Sequence, residues 1–145
     1  MKKIIVILII CLLFACGIFV KPNNFSLNNY FDTGLLHIYT KRPINETSIP
    51  LVGTYMSTSS KGVKKGEIIG ESLYFDNLEI DSAITTLKAK VKFTEYIDEQ
   101  NLTIIYAYSK LIPKYEMVNN VKINVQISTC DEYSVIGWPL IYGSF

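Results

Sequence analysis

Residues 75–109 read FDNLEIDSAITTLKAKVKFTEYIDEQNLTIIYAYS, and within them a helical period gives way to a strand period. Ile80, Ala83, Ile84 and Leu87 recur at i, i+3, i+4 and i+7, one apolar stripe on a helix of about three turns. Asp76 and Glu79 have capping-box spacing, with Phe75 and Ile80 placed as the hydrophobic staple around it. Past Lys88 the period drops to two. Ala89, Val91 and Phe93 alternate with Lys90, Lys92 and Thr94, which predicts a strand with one dry and one wet face. The polar tetrapeptide Asp98-Glu99-Gln100-Asn101 has hairpin-loop length, and residues 102–108 return as a more apolar strand. An amphipathic helix over about residues 77–87 needs a flat apolar partner, and the hairpin behind it supplies one. The expected fold class is α+β, one antiparallel sheet with this helix on one face.

Outward from that stretch the strand signals continue. Val121, Ile123, Val125 and Ile127 alternate with Lys122, Asn124, Gln126 and Ser128, the cleanest period-2 segment in the chain. Asp131-Glu132 turns it, residues 133–136 pair back, and Gly137-Trp138-Pro139 interrupts before Leu140-Ile141-Tyr142. On the amino-terminal side, residues 34–40 form a short strand ended by Pro43, residues 50–56 a second, and residues 57–62 a loop by composition. Ile68 and Ile69 fit either class.

The first twenty residues read differently. Lys2 and Lys3 precede seventeen positions, 4–20, without a charge. As an uncleaved anchor this run would cover roughly 25 Å, near the lower limit for a bilayer core of about 30 Å, with the flanking lysines favouring the N-terminus inside. Alternatively, Leu13-Phe14-Ala15-Cys16-Gly17 resembles a bacterial lipobox with Cys16 as the lipidation candidate, and a simply cleaved signal is the third reading. All three place the body of the protein outside the cytoplasm, at the cell membrane. Residues 21–29, KPNNFSLNN, read as a polar linker, which leaves 30–145 as a single extracytoplasmic domain.

Composition narrows the function classes. With 49% apolar and 19% charged residues in 145, the chain is neither disordered, collagen-like nor a polytopic membrane protein. Residues 21–145 carry 12 basic and 13 acidic side chains, a formal charge of −1, which argues against nucleic acid as a partner. Cys130 is the lone cysteine of that part, so no internal disulfide forms, and no metal site or cofactor is expected.

Three segments near the carboxyl end carry a family likeness. Ala107-Tyr108-Ser109 closes one strand, Lys122-Ile123-Asn124-Val125-Gln126-Ile127 opens the next, and Gly137-Trp138-Pro139-Leu140-Ile141 precedes an aromatic end at Phe145. In these the chain resembles the YwmB-like family of exported bacterial proteins over roughly residues 70–145, with Trp138 where the family motif has threonine. The resemblance implies export and an α+β domain; it brings no established reaction and no catalytic residues.

Catalytic motifs are absent from the sequence: one histidine, no glycine-rich phosphate loop, no HExxH and no GxSxG. His37 lies between Leu36 and Ile38 as a strand residue, and a Ser/His pair would need a serine delivered by the fold. Asp98-Glu99 and Asp131-Glu132 are acids in turns, and Glu67 and Glu71 flank Gly70 as surface acids able to face one another. Lys88, Lys90 and Lys92 form one small basic group and Lys61, Lys64 and Lys65 another; Lys90 and Lys92 read as the solvated row of a half-exposed sheet, with contact to anionic lipid or wall polymer beside the anchor as the alternative. The sequons at Asn45 and Asn101 read as chance. Aromatics remain. Tyr106 and Tyr108 share a strand face, while Trp138 and Tyr142 sit at a break near the sheet edge, where large side chains with a polar handle suit glycan or protein contact. The expectation is a membrane-tethered, non-catalytic binding or interaction module of the bacterial cell envelope, contacting an envelope protein or glycan. An envelope enzyme acting on cell-wall material through carboxylates is the alternative.

Overall fold

The computed structural model describes residues 25–64 and 66–142. The anchor or signal readings of residues 1–20, with Cys16, and the aromatic end at Phe145 lie outside the described residues. Among those described, no helix is long and apolar enough to cross a membrane.

Among the described residues the fold is α+β, a single domain built on one antiparallel sheet with one α-helix. The strands are β1 (Leu35–Thr40), β2 (Ile49–Leu51), β3 (Thr54–Ser57), β4 (Ile68–Phe75), β5 (Ala89–Ile97), β6 (Leu102–Ser109), β7 (Glu116–Val118), β8 (Val121–Ile123), β9 (Val125–Thr129) and β10 (Ser134–Trp138). Eight of them pair in the order β2-β3-β1-β4-β10-β9-β6-β5, while β7 and β8 form a separate ribbon. Asn119 and Asn120, with φ of 49° and 60°, turn that ribbon, as a two-residue hairpin loop with left-handed central residues requires. Ile68 and Ile69 thus open β4, which lies between β1 and β10 in the interior of the sheet.

The helix, α1 (Ile80–Thr86), is shorter than the 77–87 expected, and its cap differs. Glu79 is itself the N-cap: it has extended φ/ψ and its Oε2 accepts from the Ser82 N–H at 2.6 Å, while Asp76 lies exposed in the preceding bend. A glutamate is an uncommon cap, but its carboxylate satisfies the same orphan N–H and sits at the positive end of the helix. Ala83 and Leu87 are buried in the core and Ile84 packs against it, so the apolar stripe holds.

The hairpin of β5 and β6 forms through a 3-10 turn, Asp98–Gln100, closed by Asn101 in the left-handed region. Its outer strand departs from the expected dry face. A bulge between Val91 and Phe93 breaks the alternation, Val91 is 44% exposed, and β5 is the sheet's edge.

The period-2 run at residues 121–128 splits at Asn124, with β8 in the small ribbon and β9 in the main sheet. Asn124 is fully buried and stitches the junction. Its Oδ1 accepts from Ser109 N at 2.7 Å, and its Nδ2 donates to Ser109 O at 2.7 Å and Ile112 O at 2.9 Å. Gln126 and Ser128, polar members of that alternation, are both buried, and the returning chain reaches over Gln126. Ile141 N donates to Gln126 Oε1 at 2.8 Å and the Tyr142 ring lies 5.1 Å from that of Tyr39. Room for this return comes from two glycines: a Cβ on Gly70 would lie 2.4 Å from the Trp138 carbonyl oxygen, and one on Gly137 would lie 2.6 Å from Ile141.

The core face of the sheet carries Leu73, Ile136, Ile127, Val125 and Ala107, covered by α1, Ile112 and the amino-terminal residues. Those residues correct the linker boundary. Leu27 is wholly buried and Phe25 nearly so, with Leu27–Asn29 forming a 3-10 turn on β4, so the packed body includes residues 25–29 and these are no spacer.

Candidate functional site

Glu71 sits in the middle of β4, two residues from Leu73 and four from Phe75, and strand alternation turns all three toward the core face. It is 1% exposed. An isolated carboxylate in such a place is costly unless donors meet it. Two do, and both land on one oxygen: Leu27 N–H at 2.8 Å and the Trp138 indole N–H at 2.9 Å, each to Oε2. Trp138 lies directly across from Glu71 in the β4–β10 register. Among the described residues no cation pairs with Glu71; Arg42 pairs instead with Glu67, whose carboxyl it holds below its usual range through a hydrogen bond.

Beside this carboxylate opens a cavity of about 570 Å³. Its walls are largely apolar: Phe25, Leu36, Ile38, Val63, Ile68 and Trp138. The rings of Phe25 and Trp138 meet edge to face at 5.6 Å. Glu71 lines the same cavity, and Lys114 stands on its exposed side with its ammonium donating to Ile68 O at 2.7 Å. An apolar hollow with a few convergent polar groups is the usual form of a ligand site.

Of the four aromatics singled out in the sequence, Trp138 alone lines this cavity, as a 4% exposed core residue rather than an edge contact. Tyr142 lies across the sheet against Tyr39, because residues 139–142 return over the far face. Tyr106 and Tyr108 point to that far face too. Tyr106 stacks on Phe93 at 4.4 Å and donates to Glu95 Oε2 at 3.1 Å, and burial, then Glu95, raises its pKa. The structure therefore does not gather Trp138, Tyr142, Tyr106 and Tyr108 into one surface.

The far face does bring a serine to the histidine. His37 lies opposite Ser72 in the β1–β4 register, and its ring is 4.5 Å from that of Tyr74. Yet His37 Nδ1, Tyr39 Oη, Ser72 Oγ and Ser128 Oγ are all buried with no hydrogen-bond partner among the described residues, so no nucleophile–base contact is closed. Burial lowers the His37 pKa and, with Tyr39 nearby, pushes Tyr74 up to about 12.

The turn acids reach one end of the sheet: Asn101 Nδ2 donates to Asp131, which links the Asp98-Glu99 turn to the Asp131-Glu132 turn. All four acids are exposed. Glu67 and Glu71 do not face one another, being held by Arg42 and by Trp138 with Leu27. Among the described residues no group of three His, Cys, Asp or Glu could hold a metal ion. Cys130 is a half-buried free thiol. The sequon residues serve the fold, Asn45 through Ser48, Ser57 and Thr47, and Asn101 through Tyr96 and Asp131. Lys61, Lys64, Lys90 and Lys92 are exposed.

Glu71, Phe25 and Leu27 were missed as site residues. The signal for Glu71 was present in its parity with Leu73 and Phe75; that for Phe25 and Leu27 was masked by the asparagines around them. Comparison with protein-family models, curated proteins and solved structures gives no match.

Proposed function

We propose that the chain is a non-catalytic binding module of the bacterial cell envelope, which takes an apolar group of its partner into the Trp138 cavity. The observation that carries this reading is the cavity: about 570 Å³ with apolar walls and a buried carboxylate, within the roughly 300–1,000 Å³ range of ligand sites. Tethering at the membrane with the domain outside is part of the proposal and rests on Lys2, Lys3 and the uncharged run 4–20. Kinship with YwmB-like exported proteins is likewise proposed, on the segments around Tyr108, Asn124 and Trp138.

A neutral solvatochromic dye such as Nile red tests the cavity. One saturable site per chain is expected, lost when Val63→Trp fills the hollow while the thermal melt stays cooperative. Dye binding absent from the parent chain, or unchanged in a folded Val63→Trp, would remove the reading.

A further inference from the structure

We propose that the occupant of the Trp138 cavity is an apolar group ending in an ammonium, and that Glu71 receives that head group. This rests on the cavity being a binding site. Both donors to the Glu71 carboxylate come from neutral N–H groups and share Oε2. Two neutral donors hold the anion in place but do not cancel its charge, and among the described residues no cation pairs with it. Lys114, the lysine among the described lining residues, donates to the Ile68 carbonyl and makes no ion pair with Glu71. Among the described residues no donor meets Oε1, which leaves it as the acceptor for a ligand on a residue that lines the cavity wall.

Charge complementarity then selects among apolar ligands. A carboxylate removed from water penalises an anionic guest, is indifferent to an alcohol beyond one hydrogen bond, and gains a charge-assisted bond from an ammonium. The walls add to this preference. Phe25 and Trp138 border the same cavity, and their ring faces attract a cation within about 6 Å. A negatively charged guest would have to bind by Lys114 at the exposed side, leaving Glu71 deeper in the wall unanswered.

Trp138 is the only tryptophan of the chain, so its emission reports on this cavity without interference. The test titrates the full chain in nanodiscs of zwitterionic lipid with hexylammonium, 1-hexanol and hexanoate, with empty nanodiscs subtracted. Saturable change is expected for hexylammonium at about tenfold lower concentration than for hexanol, and the difference should vanish in Glu71→Gln, whose amide oxygen still accepts from Leu27 and Trp138. Equal affinity for amine and alcohol would leave the cavity standing and overturn the ammonium. Preference for hexanoate, lost in Lys114→Ala, would overturn it in favour of an anion held by Lys114. No saturable response to any of the three would overturn both the ammonium and the cavity as a site. The head-group series on the unaltered chain decides the matter even where Glu71→Gln fails to fold.

Discussion

The Trp138 indole and the Glu71 carboxylate face each other across β10 and β4 at 2.9 Å, and the same oxygen takes the Leu27 amide at 2.8 Å. One buried acceptor therefore ties the last strand, an interior strand and the amino-terminal 3-10 turn. Truncation by Glu71→Ala leaves two donors unanswered and is expected to cost about 3 kcal/mol or more, whereas Glu71→Gln keeps an acceptor and should cost about 1. Urea unfolding followed by Trp138 emission measures both; equal losses for Ala and Gln would show that the carbonyl acceptor is not what matters.

Asn124 answers three backbone groups across the β8–β9 break. Asn124→Ala strands Ser109 N–H and the Ser109 and Ile112 carbonyls in a buried place, for an expected loss of about 3 kcal/mol. Asn124→Asp keeps the acceptor but loses both donations, and is expected to be no better. Chemical denaturation of the two variants against the parent checks this.

Close approach of the returning chain leaves no space at Gly70, where a Cβ would meet backbone at 2.4 Å. Gly70→Ala should destabilise by about 2 kcal/mol or more through overpacking. By contrast, Gly66→Ala, whose Cβ meets nothing within 4 Å, should be near neutral. Paired thermal melts distinguish the two positions.

Burial lowers the His37 pKa below its ordinary 6.5. The unfolded imidazole therefore binds a proton at a higher pH than the folded one, so the unfolded chain carries more protons in the window just below 6.5 and stability rises with pH there. The contribution is complete above 6.5 and is lost as pH falls toward the folded value. Melting temperature between pH 5.5 and 8 should climb in the parent, with a shallower climb in His37→Gln; parallel curves would contradict it.

The helix–hairpin portion was legible because local periods announce it: Ala83 and Leu87 on one stripe, and a polar tetrapeptide between two apolar strands. What was hidden depended on contacts from far along the chain. Gln126 is one more polar position of an alternating strand until Ile141 closes over it, and Leu27 looks like part of a spacer until Glu71 holds its amide. Trp138 was legible as a large aromatic at a special place, but its neighbours were not. Alternation puts Tyr142's contact, Tyr39, and the pocket residue Ile38 on opposite faces, and only the β1–β4–β10 register reveals which of them Trp138 joins.

The most direct measurement follows the single tryptophan indole N–H in the nitrogen-15 spectrum of the protein while hexylammonium is added. Because that proton is held by Glu71 beside the cavity, its resonance should move saturably together with the amides of Ile38, Ile68 and Glu71, while those of Tyr106 and Tyr108 stay still. An indole signal that does not move, or shifts gathered at Tyr106 and Tyr108 on the opposite face, would contradict a binding site at Trp138.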